Sequence, residues 1–219
     1  MDISVTMTSS TFNTFIHRLH LRLQKPLPGK AAQIKMAPAH RIKDIVALDQ
    51  YLLLRDSAVL LLLYPDEGSL YIPLIQRPVY NGPHSGQVSL PGGKTEKYDS
   101  GLEQTAIRES VEEIGIDVEK CTVIGQLTQL YIPPSYFRVQ PFVAFSSVKP
   151  QFVTDKKEVE KLLEVNLIHL LDDANLSIQS FSFKSGVTFE APCFKVNNTI
   201  IWGATAMILS EFLTAIREC

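Results

Sequence analysis

Cysteine is scarce in this chain. Only three occur in 219 residues (Cys121, Cys193 and Cys219), an odd number without metal-ligand spacing. That argues against a disulfide framework and fits a reducing cytoplasm. Excess charge is missing as well. Lys and Arg number 21 against 23 Asp and Glu, a formal net charge of -2, so no broad field draws the chain to nucleic acid or to an anionic membrane. No nucleic-acid partner and no membrane partner are expected. The most apolar run, Ala58 to Tyr64, is far too short to cross a bilayer and predicts a buried strand. The N-terminus has no basic stretch leading into an uninterrupted apolar segment, so no export signal is expected. Internal repeats and low-complexity tracts are absent. What remains is 45% hydrophobic residues, enough for a sizeable core in one large domain or a domain with an extension.

Against this plain background one stretch stands out. Residues 91 to 116 read PGGKTEKYDSGLEQTAIRESVEEIGI, and Glu109, Glu112 and Glu113 put three carboxylates within five residues of a predicted helix. At 100° per residue they share one arc of about 100°. Acids at i and i+4 repel and weaken an isolated helix by a few tenths of a kcal/mol, with only Arg108 to relieve them. Ser100 and Glu103 read as a capping box, and Gly115 suits the left-handed residue after the last turn. Ala106, Ile107, Ser110, Val111 and Ile114 fall roughly opposite the acids and form the expected packing face. Such a helix is either a solvated acidic face or a seat for cations. The preceding glycine turn and the lack of Lys partners favour cations, and an all-oxygen donor set suits Mg²⁺ or Mn²⁺ rather than zinc.

The spacing also resembles the signature of the Nudix hydrolases: Gly, five residues, Glu, seven residues, then Arg-Glu-aliphatic-x-Glu-Glu-x-Gly-aliphatic. Gly93 matches the first glycine, and Arg108 to Ile116 match the end. Asp99 stands where the mid-box Glu is expected, eight residues separate it from Arg108, and Ser110 replaces the aliphatic residue. Upstream, His84-Ser85-Gly86-Gln87-Val88-Ser89-Leu90-Pro91-Gly92-Gly93 is similar to the segment that precedes the box in the coenzyme A pyrophosphatase branch, with Arg77 in place of that branch's strand-borne Arg. The same branch commonly carries the longer spacer and the Asp. Pro78, Leu90 and the absence of a basic residue in Asn81-Gly82-Pro83 depart from its pattern.

The resemblance implies a three-layer α/β/α sandwich with a mixed sheet and a metal-dependent hydrolase acting on a small nucleotide derivative. It assigns metal binding to Glu109, Glu112 and Glu113, catalysis to Glu109 and Glu112 with Arg108 orienting a box carboxylate, and substrate contacts to Arg77, His84, Gln87, Gly92 and Gly93. On this reading Glu112→Gln abolishes activity without unfolding. The general base is a box glutamate or an acid from a later loop, for which Glu158 and Glu160 are the candidates; a solvated face shared with Lys156, Lys157 and Lys161 is the alternative. His84 either touches the substrate phosphate or nucleotide or caps a turn. Tyr131 to Phe137 either line a pocket or simply pack. Coenzyme A or a derivative is the expected substrate. ADP-ribose, a dinucleotide or an oxidised nucleotide, and a catalytically silent ligand sensor, are the alternatives.

Around this segment the chain divides into an extension, residues 1 to 50, and a catalytic domain, residues 51 to 219. Phe12, Phe15, Ile16, Leu19 and Leu23 have helical spacing and predict an amphipathic helix that docks on the protein's own core or on a membrane or partner surface. Residues 30 to 50 read as a connector. Ala58–Tyr64 and Leu70–Arg77 predict a hairpin, Thr122–Leu130 and Arg138–Phe145 predict strands, and Phe181 to Ile201 predict further short ones. Val159–Leu163 and Leu167–Leu171 read as short helices. Ala204–Arg217 predicts a terminal helix anchored by Trp202-Gly203.

Overall fold

The computed structural model describes residues 8–42, 54–82, 84–182, 186 and 188–219. The apolar run lies at its centre. It forms the middle of β1 (Arg55–Asp66), where Leu60 to Tyr64 are each no more than 1% exposed. Both faces of this strand are covered: Leu61 and Leu63 belong to one core, Ala58, Leu60 and Leu62 to the other. β2 (Ser69–Gln76) returns antiparallel after Glu67 and Gly68, whose φ values of 46° and 72° suit a tight hairpin turn matching the strand twist.

β3 (Val88–Ser89) pairs antiparallel with the end of β2 at Ile75 and Gln76, and β4 (Gly92–Lys94) pairs antiparallel with residues 57–59 of β1. β1 therefore changes partners along its length, from β4 at its start to β2 at its end. The sheet opens at that fork. On the other side β7 (Phe137–Ser146) runs parallel to β1, flanked by β5 (Cys121–Gln126) and β6 (Leu130–Ile132). The sheet is mixed, as expected.

Val159–Leu163 is not a helix. The chain forms β8 (Lys161–Asn166), antiparallel to β2 from Gln76↔Lys161 to Tyr71↔Asn166. Leu162 packs into one core and Leu163 into the other, a two-residue alternation that only a strand allows, and the pairing satisfies the outer edge of β2.

Helices complete the layers. α1 (Ser9–Leu23) buries Phe12, Phe15, Ile16, Leu19 and Leu23 in the protein's own core, so the docked alternative holds. At roughly 1.5–3 kcal/mol for each buried apolar side chain, this face is committed to the fold rather than offered to a membrane. α2 (Gly29–Ile34) and a 3₁₀ turn at Ala39–Arg41 occupy the first part of the connector, whose residues 43–50 lie outside the described ones. α3 (Leu102–Ile114), the acidic helix, covers Ala58, Leu60 and Leu62 on the opposite face. α4 (Leu167–Leu171) follows β8. A second, three-stranded sheet of β9 (Leu176–Ser182), β10 (Thr188–Val196) and β11 (Thr199–Trp202) leads into α5 (Gly203–Arg217), which is buried along nearly its whole length.

Extension and terminal helix are joined by one buried acid. Glu211, with no exposed surface, accepts hydrogen bonds from Gly29 N–H at 3.1 Å, Gln33 Nε2 at 2.8 Å and Thr128 N–H at 3.1 Å. Among the described residues no helix is long and apolar enough to cross a membrane.

Candidate metal centre

α3 is delimited differently from its sequence pattern. It starts after Gly101 with no side-chain cap, and the Ser100 N–H donates to Gln104 Oε1 rather than joining a Ser100–Glu103 box. At the other end Gly115 takes the left-handed conformation, φ 67°, as expected. The buried face comprises Thr105, Ala106, Ser110, Glu113 and Ile114, while Val111 is exposed. The packed arc is thus rotated toward the acids and takes Glu113 inside. Ser110 is tolerated there because its hydroxyl donates to the Ala106 carbonyl at 2.7 Å.

The glycine pair enables this close packing. Gly92 has φ 147°, and a Cβ on it would stand 2.3 Å from the Ala58 carbonyl oxygen. A Cβ on Gly93 would stand 2.4 Å from the Glu109 carboxyl carbon. The bare backbone of β4 thus lies directly against the acidic helix, and the Gly92 N–H donates to Glu113 Oε2 at 2.8 Å.

Three carboxylates converge at the fork. Oxygens of Glu109, Glu113 and Glu158 lie within 4.8 Å of one another, the first half-buried, the second buried and the third exposed. Glu158 arrives from the loop before β8, where Asp155 N–H bonds the Glu113 carbonyl at 3.0 Å and Val159 N–H bonds Asp155. Glu160 instead continues into the sheet edge, its N–H donating to the Gln76 carbonyl. Burial pushes the Glu113 carboxyl up to about 8; the Gly92 N–H and Arg77 oppose the rise, and Glu109 and Glu158 add to it. Burial raises Glu109 too, against the pull of Arg108.

Glu112 is not in this group. It is exposed and accepts from Arg108 Nη1 at 2.9 Å, the same nitrogen that holds Glu109 Oε1 at 2.9 Å. Arg108 spends all of its N–H donors: Nε and Nη2 grip Asp99 at 2.9 and 3.0 Å, and Nη2 also reaches the Lys94 carbonyl at 3.1 Å. Asp99 further accepts from Glu96 N–H and the Thr105 hydroxyl, each at 2.9 Å. The guanidinium holds the Asp99 carboxyl well below the usual carboxylate range. Asp99 therefore braces the loop through Arg108.

The remaining candidates flank the acids. Arg77 Nη2 is 4.0 Å from Glu113 Oε1 and 3.4 Å from the Gly92 carbonyl, and Nε donates to Ser89 Oγ at 3.3 Å. Its N–H donates to the Gln87 carbonyl. His84, at φ 64°, has Nδ1 3.1 Å from Gln87 Oε1. An amide oxygen only accepts, so Nδ1 carries the proton and Nε2 presents its lone pair. Burial lowers the His84 pKa against that hydrogen bond, and the nearby Arg77 and Arg41 lower it further. Arg41 gave no sequence signal, since it lies in the connector far from the box. Of the Tyr131–Phe137 run, Tyr131 and Ile132 are buried packing residues, whereas Tyr136 is exposed and Phe137 lies under the Arg55 guanidinium at 4.3 Å.

Comparison with known proteins agrees with this geometry. Residues 54–182 match the NUDIX domain family model. The chain is 29% identical over 208 residues to the uncharacterized Nudix hydrolase NudL of Yersinia enterocolitica, covering 95% of this chain and 94% of that one. It is 34% identical over 133 residues to the mitochondrial coenzyme A diphosphatase NUDT8 of Mus musculus, over 58% of this chain, and spans 61% of that protein's length. In fold it is similar to the crystal structure of a MutT/nudix family protein from Enterococcus faecalis, with a TM-score of 0.50 and 18% identity over 86% of this chain and 73% of that one. From the acidic helix, its glycine turn and the matched domain, the chain belongs to the Nudix family.

Proposed function

We propose that the protein is a divalent-metal-dependent diphosphatase that cleaves coenzyme A or its derivatives to adenosine 3′,5′-bisphosphate and 4′-phosphopantetheine. The observation that carries this reading is the convergence of Glu109, Glu113 and Glu158 within 4.8 Å beside the bare Gly92-Gly93 backbone. The donor set fits a hard cation: it is all carboxylate, and burial pushes Glu113 toward its protonated form despite the nearby Arg77, a cost that a bound cation would offset. Mg²⁺ or Mn²⁺ bound there supplies charge neutralisation of the diphosphate and activation of water.

The chain's own groups divide the remaining work. Glu109 and Glu113 would hold the cation. Glu158, exposed on its loop within reach of both, takes the proton of the attacking water. Arg108 fixes Glu109 in place through the Asp99 brace. Glu112 stands at the solvent edge on Arg108 and would join only a cation bound at that edge. Arg77, between Glu113 and the Gly92 carbonyl, is placed to meet a substrate phosphate, with His84 and Gln87 beyond it. Coenzyme A as substrate is supported by the His84–Gly93 segment, the Asp99 spacer and the similarity to the mouse coenzyme A diphosphatase. The three free thiols support a reducing compartment, and we infer a cytoplasmic enzyme in which residues 1–50 extend a domain spanning residues 51–219.

Turnover of coenzyme A, an acyl-coenzyme A, ADP-ribose, NADH and 8-oxo-dGTP with Mg²⁺ and with Mn²⁺, with products identified by mass, tests the reading. The coenzyme A species should be cleaved fastest, to the two products named. Rapid turnover of another member beside inert coenzyme A would overturn the substrate assignment.

A further inference from the structure

Glu158 is exposed, yet the chain on either side of it is anchored. A helix leaves its last four carbonyls without partners of its own. At the end of α3 two of these are taken up by the loop that follows β7. The Ile114 carbonyl accepts from Val153 N–H and the Glu113 carbonyl from Asp155 N–H, each at 3.0 Å. Gly115 permits this approach, since a Cβ on it would stand 2.8 Å from the Val153 carbonyl oxygen. On the other side, Val159 is buried in the core beneath α3, and Glu160 N–H donates to the Gln76 carbonyl at 2.9 Å.

Between these anchors one residue shapes the turn. Asp155 is bonded through its N–H, its carbonyl and its side chain. Its carbonyl accepts from Glu158 N–H at 3.2 Å and Val159 N–H at 2.8 Å, and its Oδ1 accepts from Lys157 N–H at 2.8 Å. An Asp or Asn oxygen that accepts from the N–H two residues on builds such a turn locally. Three successive N–H groups, of residues 157 to 159, therefore converge on Asp155, and Glu158 carries the middle one. The backbone of one buried acid, Glu113, is thus joined through a single residue to the backbone of the exposed acid that faces it. The Asp155 side chain is itself exposed and lies outside the group formed by Glu109, Glu113 and Glu158.

We propose that Asp155 is a positioning residue: it holds Glu158 at the distance from Glu109 and Glu113 at which its carboxylate takes the proton of the attacking water. The inference rests on the reading of Glu158 as the proton acceptor. The role calls for an acceptor oxygen at the right reach, not for a negative charge. Asparagine supplies that oxygen from the same place, whereas glutamate keeps the charge and carries it one methylene further out.

Asp155→Asn and Asp155→Glu separate the two requirements, with a melting curve to check each fold. Two quantities are measured: hydrolysis of whichever panel compound the wild type cleaves fastest, and amide hydrogen exchange at residues 157 to 159 by NMR. Asp155→Asn should keep the wild-type kcat and the wild-type exchange. Asp155→Glu should lose about tenfold to a hundredfold in kcat, the scale of a catalytic group displaced by about 1 Å. Its KM and its Mg²⁺ concentration for half-activation should not change, and exchange at the three amides should quicken. Added to Glu158→Gln, the Asp155→Glu change should cost nothing further, because its effect runs through Glu158. Wild-type kcat or wild-type exchange in Asp155→Glu, a slower Asp155→Asn than Asp155→Glu, or a full further loss in the double variant overturns the role. A slow Glu158→Gln beside a fully active Asp155→Glu would leave the proton acceptor standing and remove only its positioning. An unimpaired Glu158→Gln would remove both.

Discussion

Single residues carry the chemistry through how completely their polar groups are used. Arg108 is the clearest case, because each N–H already has an oxygen partner and two of its bonds form a planar fork on Asp99. Lysine supplies one point charge in place of that fork. Arg108→Lys should therefore lower kcat by about a hundredfold, taking roughly 3 kcal/mol as the loss from a misplaced catalytic carboxylate, with a smaller effect on KM. Steady-state kinetics and a melting curve separate this from unfolding. Glu158→Gln keeps the side chain's size and removes its proton-accepting oxygen. It should lower kcat by about 10²–10⁴-fold while leaving the Mg²⁺ concentration for half-activation unchanged. A raised metal requirement would instead make Glu158 a ligand. At this scale the sequence was informative about types and spacing but not about depth. Periodicity places Glu109, Glu112 and Glu113 on one arc, yet burial separates Glu113 inside from Glu112 outside, because α3 sits rotated against a sheet that no local pattern describes. Glu158 was legible only as one of two late acids; the loop tied to the Glu113 carbonyl selects it over Glu160.

At the scale of elements, local patterns fail where partners are distant in sequence. The helix expected at Val159–Leu163 becomes a strand because β2 offers an open edge and a core on each face, which is tertiary information. The capping box at Ser100 fails for a related reason: the nearby Asp99 is fully committed to Arg108, Thr105 and Glu96, and this fixes how the chain enters α3. By contrast α1, β1 and Gly115 follow directly from spacing, since each uses only its own residues and a generic apolar core. The tie between the extension and α5 is invisible in sequence, as Glu211 lies 178 residues from Gln33. Glu211→Ala should strand the buried N–H groups of Gly29 and Thr128 and cost roughly 3–5 kcal/mol in unfolding free energy, measured by urea titration. A loss below about 1 kcal/mol would show that α2 docks without that carboxylate.

For the whole molecule, the metal centre is linked to stability. Glu113 titrates near 8 in the folded, metal-free protein and near its ordinary value when unfolded. Between those values the folded state binds the extra proton, so stability falls as pH rises from about 5 to 8. The metal-free protein should thus melt at a lower temperature at pH 8 than at pH 6. Glu113→Gln should flatten that slope, and Mg²⁺ should stabilise the wild type most at the high-pH end. The most direct measurement is calorimetric titration of Mn²⁺ into the wild type, Glu113→Gln and Glu112→Gln at pH 8, with folding of each verified. The account predicts binding by the wild type, a loss of at least about tenfold in Glu113→Gln and a much smaller loss in Glu112→Gln. Equal affinity in the wild type and Glu113→Gln would contradict a cation held at the fork.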